Sequence, residues 1–295
     1  MPPDILPLDA FVRAIGANRL TPHALFLGAG ASITSGMPSA QMCIWEWKRS
    51  IFLTNNIGLE SQFSEITLAS VQARIQRWLD RQGLYPQAGD PSEYSVYIEA
   101  CYPIPESRRL YFQEKVRQAK PHIGHQMVGE LASQRLIRSV WTTNFDQLTS
   151  RALGEQQISP IEVGIDSAHR AVRAAHSGEL LIVSLHGDYR YDSLKNTATE
   201  LQQQERELEQ ALVQEFTNAP VIVCGYSGRD ESVMRAFSEA YGRKGAGSLY
   251  WCVQDAENVA TPVKGLVQHA RAHGRTACVI PIQGFDDLMV RLALH

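Results

Sequence analysis

Short apolar runs separated by longer helical segments constrain the fold of this chain more than any other feature. The runs predict buried strands at 24–27, 138–142, 180–185, 220–224 and 248–253, with a sixth candidate at 277–282. Continuous apolar strands are typical of parallel sheets that helices cover on both faces. The sequence therefore predicts an α/β fold with a doubly wound parallel sheet, in which ligands bind beyond the carboxyl ends of the strands.

A long helical segment is predicted between the first two strands. Residues 44–135 are too many for a simple crossover connection. Apolar residues between 63 and 79 recur at helical spacing, and Gly83 follows as a C-terminal stop. We therefore expect one domain over 1–295, with an inserted helical lobe at about 44–135. The core of that domain comprises about 20–43 and 136–295.

A further helix is predicted after residue 197. Thr197 and Glu200 have the spacing of a capping box, and they precede an apolar helical series. The members of that series are Leu201, Leu208, Leu212 and Phe216. Residues 287–295 begin an amphipathic segment and then stop, which is compatible with the N-terminal part of a longer polypeptide.

Composition narrows the possible classes of function. The formal net charge is -3, and the chain has neither a basic leader nor a run of about 18 apolar residues, so we expect a soluble cytoplasmic protein without membrane or direct nucleic-acid contacts. Its five cysteines never form a C-x-x-C pair, which disfavours disulfides and structural zinc. His122 and His125 are three residues apart, but no other ligand cluster accompanies them. We expect them to pack at a helix start and expect no metal.

A glycine-rich turn follows the first predicted strand. Its residues are Gly28, Ala29, Gly30, Ala31 and Ser32, and Pro38 follows six residues later. Glycine lets the backbone approach a pyrophosphate, and helix N-terminal amides donate toward it. Tight turn geometry alone would also select glycine, so the turn leaves phosphate binding open. Ile33 replaces the third glycine of a dehydrogenase fingerprint and 45–49 look helical, which disfavours hydride transfer.

Polar motifs also follow the next three predicted strands. Thr-Thr-Asn-Phe-Asp occupies 142–146, His-Gly-Asp occupies 186–188, and Gly-Tyr-Ser-Gly-Arg-Asp occupies 225–230. Each motif has an ordinary structural explanation, because Asn and Asp are frequent turn and N-cap residues and a lone His is usually structural. Their placement at consecutive strand ends favours one shared site.

Together with the glycine turn, these motifs resemble the SIR2 family over about 24–253. The resemblance implies a Rossmann-like domain that binds NAD as a substrate and breaks the bond between nicotinamide and ribose. It aligns Asn144 and His186 with the catalytic positions of the family. The cofactor-binding positions that it implies are Gly28, Ala29, Gly30, Ala31, Ser32, Pro38, Thr143, Asp146, Gly225, Ser227 and Asp230.

The two catalytic candidates suit cleavage of an N-glycosidic bond. This reaction builds positive oxocarbenium character on the ribose and needs an activated water. Asn144 can hold a water or a ribose hydroxyl without becoming charged. His186 is the better general base, since an imidazole exchanges a proton near neutral pH. Asp146 would orient either a ribose hydroxyl or the Asn144 loop, while Gly225, Ser227 and Asp230 would line the adenosine end.

Two departures separate the chain from deacylating sirtuins. Those enzymes hold zinc with two C-x-x-C pairs after the His-Gly position, whereas 188–197 contain no cysteine. Ser39 and Ala40 follow Pro38, where sirtuins usually have an acidic-aromatic-arginine sequence. The pattern resembles the SIR2-like domains of bacterial antiphage proteins, which deplete NAD and are fused to or associated with a sensor such as a short Argonaute module or a HerA-type ATPase.

This second resemblance implies an NAD glycohydrolase of antiviral defence that releases nicotinamide and ADP-ribose. It also implies a protein partner or fused sensor, and an oligomer in the active state. Two other functions remain open. NAD-dependent deacylation or ADP-ribosyl transfer would require an acceptor other than water. A non-catalytic module would bind NAD or ADP-ribose without turning it over.

Overall fold

The computed structural model describes residues 5–90, 92–171, 176, 178–185 and 198–295, apart from the side chains of 166 and 198–205. The chain forms two compact units. One comprises Met1–Ser35 and Ala119–His295, and the other is Gly36–Gln118.

The first unit contains a parallel sheet. Its described strands are β1 (His23–Leu27), β2 (Ile137–Thr142), β3 (Ser159–Val163), β4 (Glu179–Ser184), β5 (Val221–Cys224), β6 (Leu249–Val253) and β7 (Ala277–Pro281). Their spatial order is β3-β4-β2-β1-β5-β6-β7, and every pair is parallel. The chain thus places β2, β3 and β4 on one side of β1 and then β5, β6 and β7 on its other side. This order confirms the doubly wound α/β fold and places the switch point between β1 and β5.

Helices occur in both units. The described α-helices are α1 (Leu8–Ala17), α2 (Ala40–Asn55), α3 (Ala69–Gln82), α4 (Glu93–Cys101), α5 (Pro105–Gln118), α6 (Ile123–Ser133), α7 (Leu148–Glu155), α8 (Ala198–Asn218), α9 (Glu231–Gly242), α10 (Thr261–Ala272) and α11 (Phe285–Leu294). Short 3₁₀ helices cover Ala29–Ser32, Glu60–Phe63 and Ile165–Arg170. No described helix has the length and apolar character needed to cross a bilayer.

The core of the first unit lies on both faces of the sheet. Side chains of β1 alternate between the faces, as the pleat of a strand requires. Phe26 packs with α8, α9 and α10, with ring centroids 6.1 Å from Phe216 and 5.1 Å from Phe237. Leu25 and Leu27 pack on the opposite face with α1, α6, α7 and α11. Burial on both faces explains why the strands of this sheet are continuously apolar.

All six predicted strand positions are confirmed, but β3 was not predicted. This strand lies at the edge of the sheet, pairs only with β4 among the described strands, and is mostly exposed or half-buried. It also contains Pro160, which lacks the amide proton of a central strand. An edge strand with little apolar burial therefore gives too weak a signal to be predicted.

The second unit is helical in its described part. Helices α2, α3 and α4 enclose a core that includes Trp47, Phe63 and Leu79. Gly83 ends α3 in the left-handed region at φ 64°, which confirms the predicted stop. The predicted lobe covered about 44–135, whereas this unit covers Gly36–Gln118. The unit ends earlier than predicted because α6 packs against α7 and α11 of the first unit.

A buried ion pair joins α2 to α4 in the second unit. The ammonium of Lys48 contacts the carboxylate of Glu93 and donates to Gln76 Oε1 at 2.8 Å. The other oxygen of Glu93 accepts from Gly89 N at 2.9 Å. Lys48 also lies 4.5 Å from the ring centroid of Trp45. These partners supply the hydrogen bonds that buried charged groups require inside the helical core.

The helix predicted after residue 197 is present as α8. Leu208, Leu212 and Phe216 are buried against the sheet, as their spacing predicted. Thr197 and the side chains of Glu200 and Leu201 lie outside the described residues, so the capping box stays a prediction.

Candidate functional site

The glycine turn at the end of β1 packs directly against the end of β5. A Cβ atom on Gly28 would lie 2.6 Å from both Gly225 O and Tyr226 Cα, and one on Gly30 would lie 2.8 Å from Gly225 Cα. Gly225 has φ +70°, and a Cβ there would overlap the amide nitrogen of Ala31. These three glycines are therefore needed for close backbone approach, whether or not a ligand binds.

Several amides of this turn are engaged within the protein. Gly28 N donates to Cys224 O at 3.0 Å, Gly30 N donates to Gly225 O at 2.8 Å, and Ala31 N donates to Gly28 O at 3.0 Å. A pyrophosphate at this turn would have to be bound by other donors. The usual anion cradle of a glycine-rich turn is thus partly closed by the packing of β1 on β5.

Asn144 links the loop after β2 to the glycine turn. Its Nδ2 donates to Gly28 O at 3.0 Å and to Ser32 Oγ at 3.1 Å, while its backbone amide donates to Thr142 Oγ1 at 2.9 Å. Both amide protons of the side chain are therefore used. The group that Asn144 can still offer a ligand is Oδ1, a hydrogen-bond acceptor. Thr143 is bound to the last residue of β1, because its amide donates to Leu27 O at 3.2 Å.

Asp146 lies behind Asn144 and is only 5% exposed. Its Oδ2 accepts from Ser32 Oγ at 2.5 Å, and its Oδ1 accepts from Leu148 N at 3.0 Å at the start of α7. Both carboxylate oxygens thus bind the protein. This geometry favours orientation of the Asn144 loop over direct contact with a ribose hydroxyl. Ser32, Asn144 and Asp146 form one hydrogen-bonded group, which we call the Asn144 network.

The polar residues after β5 are less concentrated. Asp230 caps α9, because its Oδ1 accepts from Ser232 N at 3.0 Å and from Val233 N at 3.2 Å. Ser227 is exposed two residues beyond Gly225. Their predicted place at the adenosine end stays a prediction, with the capping role of Asp230 now established beside it.

The positions of two predicted site residues relative to this group stay predictions. His186, together with 187–190, lies outside the described residues, although Ser184 at the end of β4 pairs with Thr142 at the end of β2. Pro38 belongs to the second unit, whereas Gly28, Ala29, Gly30, Ala31 and Ser32 belong to the first. The structure thus brings together the glycine turn, Asn144, Asp146 and Gly225.

His125 lies close to this site, which the sequence analysis did not anticipate. It is 1% exposed near the start of α6, and its Nδ1 is 3.1 Å from Thr149 Oγ1 in the first turn of α7. Burial lowers the pKa of His125, and the negative charge of Asp146 opposes this shift. Helical spacing gave no signal of this position, because the contact depends on how α6 packs on α7. His122 instead lies on the surface, with Nδ1 2.6 Å from Asp286 Oδ2.

Residues 138–272 match the SIR2-like domain family. This stretch is less than half of the chain, and it includes Asn144, Asp146 and Gly225 but not the glycine turn. No curated protein matches the chain. The glycine turn lies outside the matched stretch. It follows β1, which pairs in parallel with β2 and β5 of that stretch.

Solved sirtuin structures are also similar to this chain. A Sir2 homologue in complex with NAD is 17% identical with a TM-score of 0.47, covering 96% of this chain and 92% of that one. A Sir2 protein bound to an acetylated peptide is 14% identical with a TM-score of 0.47, covering 97% of each chain.

Proposed function

We propose that this chain hydrolyses NAD at the bond between nicotinamide and ribose, releasing nicotinamide and ADP-ribose. The observation that carries this proposal is the Asn144 network at the carboxyl ends of β1 and β2, beside the switch point of the sheet. The SIR2-like match of 138–272 supports NAD as the ligand, as does the NAD named for one similar structure.

Asn144 is suited to the transition state of this reaction. Loss of nicotinamide leaves positive charge on the ribose. The amide oxygen of Asn144 is uncharged and can stabilise that charge as it develops in the transition state. Because Nδ2 is fixed by Gly28 O and Ser32 Oγ, the Oδ1 atom is held in one direction before NAD binds. Preorganisation of this kind avoids reorientation during the reaction. Because the Ser32 hydroxyl donates its hydrogen bond to Asp146 Oδ2, its oxygen is left to accept from Asn144 Nδ2.

The remaining roles rest on the family resemblance. His186 would activate the water that attacks the ribose. Ala29, Thr143, Ser227 and Asp230 would contact other parts of NAD, and Pro38 stays a predicted cofactor-binding residue. We further propose that the chain is a cytoplasmic antiphage effector, switched on by an Argonaute-like or HerA-like sensor and active as an oligomer without a metal. Measurement of NAD in infected cells that produce the protein with its native partner tests this role, and undiminished NAD contradicts it.

Nicotinamide release from NAD tests the catalytic assignment. The protein is assayed in its native complex, and chromatography measures the nicotinamide released. We expect Asn144→Ala and His186→Ala each to lower kcat by about 100-fold or more. The matched control is Asn218→Ala, which removes an exposed amide at the end of α8. Undiminished activity in both site variants would overturn the mechanism.

The same assay separates the other two functions. Release of nicotinamide only when an acylated peptide or another protein acceptor is present would indicate deacylation or ADP-ribosyl transfer. Tight binding of NAD in calorimetry, with intact NAD after long incubation with every native partner, would indicate a sensing module.

A further inference from the structure

His125 occupies a buried position where three helices of the first unit begin. It lies in the first turn of α6 and has 1% exposure. Its ring centroid is 5.0 Å from that of Phe285 at the start of α11. Its Nδ1 is 3.1 Å from Thr149 Oγ1 in the first turn of α7. The proposed reaction assigns no task to this imidazole, so its placement requires a separate explanation.

The charged groups that face His125 lie at or just before the starts of these helices. Asp146 precedes α7 and Asp286 lies in α11, and both favour the protonated imidazole, whereas His122 before α6 disfavours it. Burial is the largest influence and lowers the pKa of His125, so the neutral imidazole is favoured. Asp286 is already held by His122 Nδ1 at 2.6 Å and by Gly124 N at 2.8 Å. A neutral ring can keep a fixed hydrogen bond to Thr149 without attracting either carboxylate.

Three hydrogen bonds on one side of the peptide link between Leu148 and Thr149, and one on the other, connect this ring to the proposed catalytic amide. Thr149 belongs to the same helical turn as Leu148, whose amide donates to Asp146 Oδ1 at 3.0 Å. Asp146 Oδ2 accepts from Ser32 Oγ at 2.5 Å, and Ser32 Oγ accepts from Asn144 Nδ2 at 3.1 Å. Every side chain in the series is buried or partly buried, so water does not readily replace these partners.

We propose that His125 is a positioning residue that holds the first turn of α7 and thereby fixes the direction of Asn144 Oδ1. The inference rests on the proposed NAD cleavage for its catalytic consequence. Loss of the bond between His125 and Thr149 lets the turn shift, and Asp146 and Ser32 shift with it. A small displacement of an oriented catalytic group lowers the rate of the chemical step more than it weakens substrate binding.

Thr149→Val tests the inference, because valine keeps the shape of threonine and removes its hydroxyl. We expect kcat for nicotinamide release to fall by about 10-fold to 100-fold with little change in KM. Thr149→Ser restores the hydroxyl and should restore kcat. Phe285→Leu is the control, since it removes the ring beside His125 and leaves the hydrogen bond intact, so it should lower Tm and spare kcat.

His125→Asn provides the second variant, and its effect on kcat should be non-additive with that of Thr149→Val. The inference is overturned if Thr149→Val lowers Tm but leaves kcat within about 2-fold of the unmodified protein. The side-chain amide signal of Asn144 in NMR spectra gives a readout independent of activity. We expect that signal to move in Thr149→Val and stay in Phe285→Leu. If the unmodified protein releases no nicotinamide, the proposed function fails, whereas a stationary signal in Thr149→Val contradicts the positioning role.

Discussion

The glycines that follow β1 and β5 are needed because two backbone segments approach closely there, whether or not a phosphate also binds. Gly225 combines φ +70° with a position where a Cβ would overlap Ala31 N. Gly274 has a similar φ of +74°, but its Cβ would meet nothing within 4 Å. The two glycines thus separate the cost of the left-handed conformation from the cost of crowding.

Gly225→Ala and Gly274→Ala measure these two costs. We expect Gly274→Ala to lower the free energy of unfolding by about 1 kcal/mol, which is the ordinary cost of a non-glycine residue in this region. Gly225→Ala should cost about 1–3 kcal/mol more, because the turn at Ala31 must also move. Urea denaturation of the two variants gives the comparison. Equal losses would show that the predicted overlap is relieved without cost.

His23 makes the stability of the protein dependent on pH. It is 3% exposed at the start of β1, and burial lowers its pKa to about 4. The unfolded chain has the ordinary value of about 6.5 and therefore binds the proton more tightly. Stability is complete above pH 6.5 and is lost as the pH falls toward 4.

His23→Gln tests this dependence. Between pH 7 and pH 5, the unmodified protein should lose about 2 kcal/mol of unfolding free energy that the variant does not lose, as the difference in pKa requires. His273→Gln, which removes an exposed imidazole, is the control. Parallel pH profiles for the unmodified protein and His23→Gln would contradict the assignment.

At the scale of elements, Arg275 joins the C-terminal end of α8 to the segment before β6. It is 7% exposed and donates to Thr217 O at 2.6 Å, Arg243 O at 2.7 Å and Gly247 O at 2.9 Å. The guanidinium also lies 5.4 Å from the ring centroid of Tyr241. Carbonyls at a helix end have no intrahelical donors, so a cation with several N–H groups stabilises them.

Arg275→Lys keeps the charge but cannot reproduce the planar fork of donors. We expect the free energy of unfolding to fall by about 2–3 kcal/mol, the usual loss for hydrogen bonds to a charged group in a buried site. Arg13→Lys makes the same change at an exposed position of α1 and should stay within about 0.5 kcal/mol. The prediction is wrong if the two variants have the same denaturation midpoint.

Elements that bury more apolar surface were easier to predict from the sequence. β1 and β5 lie in the middle of the sheet with every residue buried, so their apolar runs were unambiguous. β3 lies at the edge and contains Pro160. Its residues are mostly exposed or half-buried, so it has no apolar run from which a strand could be predicted. His122 and His125 were predicted to pack at a helix start, and they lie at the start of α6. The contact of His125 with α7 could not be predicted, because it depends on tertiary structure.

For the whole molecule, the sheet explains how distant motifs form one site. Gly28 and Asn144 are 116 residues apart, yet the parallel pairing of β1 with β2 places their strand ends side by side. Strand-end placement could be predicted from the sequence through the general rule for doubly wound sheets. The particular bonds could not be, because engagement of Gly30 N by Gly225 O and of Asp146 by Ser32 depends on backbone distances.

Hydrolysis of NAD at Asn144 is tested most directly with NAD labelled in the nicotinamide ring and incubated in ¹⁸O-enriched water with the native complex. We expect labelled nicotinamide and ADP-ribose carrying one solvent oxygen from the unmodified protein and from Asn218→Ala, and a loss of both products in Asn144→Ala. Equal product from Asn144→Ala, or NAD left intact by the unmodified protein in its native complex, would contradict the proposed hydrolysis.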